Sequence, residues 1–145
     1  MIVLRDILYK VTLEKVVGTT AVAIRELQFD SRSIGLDDVF IAIKGAVSDG
    51  HDYIKKAVDQ GAIAIICEAI PETVVNGVTY VQVADSQEAM AVMAANFYGN
   101  PSESLRLIGI TGTNGKTTMV NLLYRLFTDL GYRVGLLSTV GNRIG

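Results

Sequence analysis

The chain has 145 residues, half of them hydrophobic, with a mean hydropathy of +0.37. That is enough to fill the core of one ordinary domain, or of a small domain plus part of another. The formal net charge is −2, and charges of both signs are scattered along the chain, which argues against the clustered Lys and Arg of a nucleic-acid footprint. No unbroken apolar stretch, the run at residues 62–67 included, comes near the roughly 18 residues that suggest a membrane span. The single cysteine, Cys67, leaves no disulfide framework and no thiolate metal cluster, and inside "AIAIIC" it reads as a buried, inert thiol.

In chain order, the N-terminal "MIVLRDILYK" carries charges at Arg5, Asp6 and Lys10. It lacks the apolar middle and cleavage site of a signal peptide, so a cytoplasmic location is the default. "LRDILYKV" reads as a short helix, "AIRELQF" and "DVFIAIK" as strands. "DYIKKAVDQ" has helical spacing at Ile54, Ala57 and Val58, with Gly61 placed to stop it. "AIAIICE" and "VTYVQVA" read as further strands. In "DSQEAMAVMAANFYG", Asp85 can cap a helix and Glu88 can reach back to it, with Gly99 as the stop. His51, the one histidine, reads as a structural residue near a helix start rather than a base. Gly99, Asn100, Pro101, Ser102 and Ser104 have linker chemistry. This places a boundary between an N-terminal domain, 1–101, and the start of a second, 102–145.

After the linker the pattern is strand ("LRLIGIT"), loop, helix, strand ("YRVGLLST"). Met119, Leu122, Leu123, Leu126, Phe127 and Leu130 form a helical apolar stripe, closed by Gly131. Such a unit implies a right-handed crossover in a parallel sheet. Between its strand and helix lies "GTNGKTT", residues 112–118. Unpaired N–H groups at a helix start favour an anion, and Gly112 and Gly115 let the backbone wrap an oxyanion closely. Lys116 adds a full charge, worth about 4 kcal/mol at 4 Å from one phosphate charge at an effective dielectric of 20, before desolvation. Thr117 offers a hydroxyl to a phosphate-bound Mg²⁺, and Asn114 suits a tight turn or polar contact. The spacing departs from the common G-x-x-x-x-G-K-[ST] loop, because Ile110 stands where its first glycine would be.

That spelling resembles the ATP loop of the Mur ligase family, whose members make amide bonds through acyl phosphates. The first half agrees. Asp30-Ser31-Arg32, Asp38-Val39-Phe40-Ile41-Ala42, the run Gly45 to Gly50, and Gly61-Ala62 resemble the uridine-nucleotide-binding domain shared by the MurE and MurF branches. Here Gly35-Leu36-Asp37-Asp38 spaces the glycine one residue from its usual place, which implies a slightly different turn. "NPSESLRLIGITGTNGKTT" and "STVGNRIG" resemble the MurE branch. Ser138 stands where that segment's first glycine is usual, and Met119, Val120 and Asn121 replace the Lys-Glu start of the MurF helix.

The resemblance implies an α/β fold. A mixed α/β uridine-nucleotide-binding domain is followed by the first strand–P-loop–helix–strand unit of a parallel-sheet ATP-binding domain. It implies the N-terminal part of an ATP-dependent ligase of peptidoglycan synthesis, which serves cell-wall biogenesis, cell shape and cell division. That enzyme adds diaminopimelate or lysine to UDP-MurNAc-L-Ala-D-Glu. The parts present are expected to be inactive alone. A MurF-type ligase and a non-catalytic nucleotide-binding module are the alternatives. ATP and Mg²⁺ are the implied cofactors, and the UDP-MurNAc-dipeptide and an amino acid the implied partners, with no nucleic acid and no membrane insertion. Gly112, Thr113, Asn114, Gly115, Lys116, Thr117 and Thr118 would bind ATP, with Lys116 catalytic and Thr117 on the metal. Phe29, Ser31, Arg32, Ala46, Val47 and Ser48 would bind the uridine nucleotide. From its chemistry, Arg32 could hold a pyrophosphate or pair with Asp30.

Overall fold

The computed structural model describes residues 2–45 and 48–145. The chain divides into two compact units, Met1–Leu105 and Arg106–Gly145.

In the first unit the elements run β1 (Ile2–Val3), α1 (Leu4–Ile7), β2 (Leu13–Val17), β3 (Ala23–Ile24), β4 (Leu27–Gln28), β5 (Val39–Ile41), α2 (Ile54–Asp59), β6 (Ala64–Cys67), β7 (Thr79–Val83) and α3 (Ser86–Phe97). Five strands form one sheet in the order β2-β7-β6-β5-β4. β4 to β7 run parallel, and β2 closes one edge antiparallel to β7. The central strands are buried on both faces, as parallel strands covered by helices must be, and their side chains alternate between two cores. Val39, Ile41, Ala64, Ile66, Val81 and Val83 join Leu4 and Ile7 of α1 and Ala89 and Met93 of α3. Phe40, Ala42, Ile65, Cys67 and Tyr80 meet Ile54 and Ala57 of α2 on the other side. Burying a side chain such as Phe40 or Ile65 contributes roughly 1.5–3 kcal/mol.

The α/β class expected from the sequence is the one observed, with differences in detail. The strand expected over residues 23–29 is two strands, because β3 pairs with β1 while β4 pairs with β5. The break at Arg25 and Glu26 is bridged by Arg25 N–H to Asp37 O and Val39 N–H to Glu26 O. The first helix stops at Ile7 rather than continuing to Val11, and Lys10 turns to φ 64°. β2 was not expected from the sequence. Glu14 and Lys15 interrupt its apolar alternation, as suits a charged edge strand.

Asp85 caps α3, accepting from the N–H groups of Gln87 and Glu88 at 2.8 and 2.9 Å. Glu88 does not reach back to it. Glu68 instead takes the Ser86 N–H and hydroxyl at 3.2 and 3.0 Å, so a second carboxylate at this helix end comes from the residue after β6. The three glycine stops hold. After α2, Gly61 N–H meets Val58 O and Ala62 N–H meets Ala57 O, both at 3.0 Å. Gly99 and Gly131 close α3 and the next helix with the same bond pair, the 6→1 and 5→2 Schellman pattern.

The second unit contains α4 (Lys116–Asp129), β8 (Gly135–Ser138) and β9 (Gly141–Ile144). The expected strand at 105–111 pairs with no neighbour, and β8 forms an antiparallel hairpin with β9 rather than a parallel ladder. A two-residue turn at Thr139 and Val140 supplies that antiparallel partner locally, which a parallel strand cannot have. Leu107, Ile108 and Ile110 instead line a groove of about 220 Å³ beside Val120, Leu123 and Phe127 of α4 and Leu136 of β8. The expected helical stripe therefore divides. Leu123 and Phe127 turn toward the groove, while Met119, Leu122, Leu126 and Leu130 are exposed.

Candidate functional site

In the first unit, loops leaving the carboxyl ends of β4 and β5 meet at an open cleft of about 640 Å³. The carboxyl ends of parallel strands are where open α/β sheets bind ligands. Phe29, Asp30, Ser31 and Arg32 come from the loop after β4, and Ile43, Gly45, Ser48 and Gly50 from the loop after β5. Tyr53 comes from the 3-10 turn, Gly50–Tyr53, that leads into α2, Lys56 from α2 and Met90 from α3.

The first loop is braced internally. Asp30 Oδ1 accepts from the Arg32 backbone N–H and from its Nε, both at 2.9 Å, and Oδ2 accepts from Nη2 at 2.7 Å. These bonds, the side-chain ones first, pull the Asp30 carboxyl down to about 2. Of the two roles open to Arg32, the structure displays the ion pair. Ser31 is buried, whereas Phe29 is 66% exposed.

The second loop closes on Gly45 N–H to Ser48 O at 3.0 Å and Gly50 N–H to Ile43 O at 2.8 Å. A Cβ on Gly50 would stand 2.6 Å from Ile43 N, so only glycine fits there. Asp49 Oδ1 accepts from the His51 N–H at 2.9 Å and lies 2.6 Å from His51 Nδ1. These two bonds, the backbone one first, hold the Asp49 carboxyl below its ordinary value. The Glu68 N–H donates to His51 Nε2 at 2.8 Å. A backbone N–H can only donate, so Nε2 accepts and the ring proton sits on Nδ1, toward Asp49. Both ring nitrogens are thus used in tying this loop to the end of β6, a structural role.

The cleft gathers Phe29, Ser31, Arg32 and Ser48 from the expected nucleotide-binding set. Ala46 and Val47 lie outside the described residues. Tyr53 and Lys56 were not singled out from the sequence, although their i, i+3 spacing at the start of "DYIKKAVDQ" puts them on one helix face. At the amino ends of β4 and β5, Arg25 and Asp38 form an ion pair that also holds Gly35 N–H, at 2.8 Å from Asp38 Oδ2.

In the second unit, Gly112 to Thr118 form the loop and opening turn of α4. Gly115 is the N-cap at φ 76°, and its carbonyl accepts from Met119 N–H at 2.9 Å. The N–H groups of the first turn, from Lys116 onward, have no intrahelical acceptor. Lys116 folds over the loop, its ammonium donating to the carbonyls of Gly112 and Thr113. Thr113 and Asn114 make the bend between the glycines. Asn121 Nδ2 donates to Thr117 O at 2.7 Å, bracing the turn that presents the Thr117 and Thr118 side chains. Among the described residues no cluster of three His, Cys, Asp or Glu side chains could hold a metal by itself.

The fold and these two sites define an α/β protein with a ligand-sized cleft at its strand ends and a glycine-rich loop opening a helix. A family model described as the Mur ligase family, catalytic domain, matches residues 23–98. The chain belongs to the Mur ligase family. It is 50% identical over 142 residues to a UDP-N-acetylmuramoyl-L-alanyl-D-glutamate–2,6-diaminopimelate ligase of Cytophaga hutchinsonii, covering 97% of this chain and 29% of that protein. The Bacteroides fragilis protein of the same name is 48% identical over 141 residues, with the same two coverages. A solved structure of a diaminopimelate ligase of this name has the same fold, with a TM-score of 0.72 at 22% identity over 99% of this chain and 28% of that one. The MurF ligase of Thermotoga maritima, solved in complex with ADP, is 35% identical over 72% of this chain and 23% of its own, with a TM-score of 0.54. The chain spans about 29% of the length of the curated relatives it matches.

Proposed function

We propose that this chain is the substrate-nucleotide and ATP-loop part of a MurE-type ligase of peptidoglycan synthesis. The observation that carries the reading is that identity to ligases of that name runs over 97% of the chain, through both units. The MurF structure matches less of it, at lower identity. In this reading the first unit holds the uridine end of UDP-MurNAc-L-Ala-D-Glu in the cleft, with Phe29, Ser31, Arg32 and Ser48 around it. The second unit is the start of an ATP-binding domain, and Gly112 to Thr118 hold ATP. The D-glutamate side-chain carboxylate attacks the γ-phosphorus and ADP leaves. The amine of the added amino acid, diaminopimelate in the relatives' names, then attacks the acyl carbon and phosphate leaves. Lys116 stabilises charge on the transferring group, and the backbone N–H groups orient it. Mg²⁺, a hard cation that takes oxygen ligands, fits the Thr117 hydroxyl, and when bound it would neutralise phosphate charge. The enzyme acts in the cytoplasm, where its nucleotide substrates are.

The test is an amide-shift NMR titration of the chain with UDP and separately with ATP·Mg²⁺. UDP is expected to shift residues 29–33 and 48–50, and ATP·Mg²⁺ residues 112–118. Shifts at neither set would overturn the reading. UDP-specific shifts with no response to ATP would leave a nucleotide-binding module.

A further inference from the structure

We propose that Lys56 is the cation that holds the diphosphate of the uridine nucleotide in the first unit's cleft. The inference rests on the nucleotide reading of that cleft. Two cationic side chains line it, Arg32 and Lys56. Arg32 is the choice a motif suggests, yet its guanidinium is committed to Asp30 through Nε and Nη2, and its own backbone N–H donates to the same carboxylate. The pair is neutral as a unit. Freeing Arg32 for a phosphate would leave the Asp30 carboxylate facing that phosphate, a like-charge contact that weakens binding.

Lys56 has no such commitment. Among the described residues it forms no ion pair, whereas its neighbour Lys55 bonds Asp59 at 2.8 Å along the helix surface. After Arg32, the Lys56 ammonium also helps hold the Asp30 carboxyl down, which places its charge on the Asp30 side of the cleft. Tyr53 lies one turn before it and also lines the cleft. Tyr53 and Phe29 present aromatic surface, 40% and 66% exposed, of the kind on which a base can stack. Ser31 and Ser48 add polar groups. The lining thus combines aromatic surface, hydroxyls and one uncommitted ammonium on a flexible stem, which suits a diphosphate as a movable point charge.

The test compares UDP with uridine, by calorimetry or NMR titration, on the full chain and on Lys56→Met, Lys56→Arg and Lys55→Met. The unaltered chain is expected to prefer UDP over uridine, and that preference to weaken with added salt. Lys56→Met should lower it about tenfold, the size of a charge-assisted bond of about 1.4 kcal/mol, with uridine affinity unchanged. Lys56→Arg should keep most of it. Lys55→Met, with the same loss of charge one residue away, should stay within about twofold of the unaltered chain. An unchanged preference in Lys56→Met, or equal losses in both Met variants, overturns the assignment and leaves the cleft's nucleotide reading standing. A salt-independent preference, or equal binding of UDP and uridine, does the same. No UDP binding by the unaltered chain overturns both.

Discussion

Arg25 grips Asp38 with two parallel bonds, Nε to Oδ1 and Nη2 to Oδ2, both at 2.9 Å, and the Asp38 carboxylate is wholly buried. Burial pushes that carboxyl up, but the Arg25 guanidinium and the Gly35 N–H outweigh it and leave it below its ordinary value. The pair ties the break between β3 and β4 to the start of β5, and through Gly35 it anchors the far end of the loop that carries Phe29 to Arg32. Arg25→Leu strands a buried carboxylate. The usual cost is about 3–5 kcal/mol, and about 2–3 is expected here because Arg25 is half exposed and water can reach the gap. Asp38 has a lowered folded value, so its stabilisation is complete above the unfolded carboxyl range, near 4, and fades as pH falls through the lower folded value. Urea unfolding should show the Arg25→Leu deficit in full at pH 7 and shrinking below pH 4. A deficit that persists unchanged at pH 2 would contradict the ion-pair account.

Asp30 titrates near 2 because Arg32 holds it. Carbon-detected NMR of the Asp30 carboxyl should give that midpoint, and Arg32→Leu should return it toward the ordinary aspartate value near 4. A midpoint that does not move would mean that the loop, rather than Arg32, sets the charge. The contribution of this exposed pair to folding is fully present above pH 4 and is lost as pH falls through about 2.

Gly50→Ala tests the turn under the cleft. The added methyl would meet Ile43 N at 2.6 Å and Ile43 O at 2.7 Å, and backbone atoms cannot swing aside as a side-chain tip can. Overpacking of this kind costs about 1–3 kcal/mol. Thermal unfolding should show the loss, and UDP affinity should fall because Gly45 and Ser48 share the turn. A variant as stable as the parent chain would show that the turn can open without cost.

What was legible in the sequence follows from range. The three Schellman stops, the Asp85 cap and the helical spacing of α2 and α3 are set within one or two turns of chain, and all were readable. The apolar runs that became β5, β6 and β7 were readable because a strand buried on both faces has no polar alternation to confuse. The failures depended on partners. Nothing local says that residues 23–29 serve two sheets, that Glu68 rather than Glu88 supplies the second carboxylate at α3, or that β8 turns back on itself at Thr139 and Val140. In the cleft, the family resemblance pointed to Phe29, Ser31, Arg32 and Ser48, and also to Ala46 and Val47, which lie outside the described residues. Tyr53 and Lys56 passed as ordinary surface positions of a helix, because only the sheet's geometry brings that helix face beside the loop after β4.

Lys116→Ala separates the charge of the glycine-rich loop from its shape. The Lys116 ammonium reaches the carbonyls of Gly112 and Thr113, so it steadies the loop, and in the proposed reading it also faces the phosphate held there. Removing it leaves the N–H groups of the first turn of α4 still pointing outward. ATP affinity is therefore expected to fall about tenfold or more, one charge-assisted contact, without vanishing. Thr117→Ala should act differently. It removes the hydroxyl that fits a hard cation and leaves the Lys116 charge in place, so it should weaken binding in the presence of Mg²⁺ and leave Mg²⁺-free binding nearly unchanged. Calorimetry with and without Mg²⁺ on both variants distinguishes the two roles. Amide spectra of residues 112–118 should show whether the Lys116→Ala loop keeps its conformation. Unchanged affinity in both variants, with and without Mg²⁺, would mean that loop shape alone binds the nucleotide and that neither side chain has the role assigned to it.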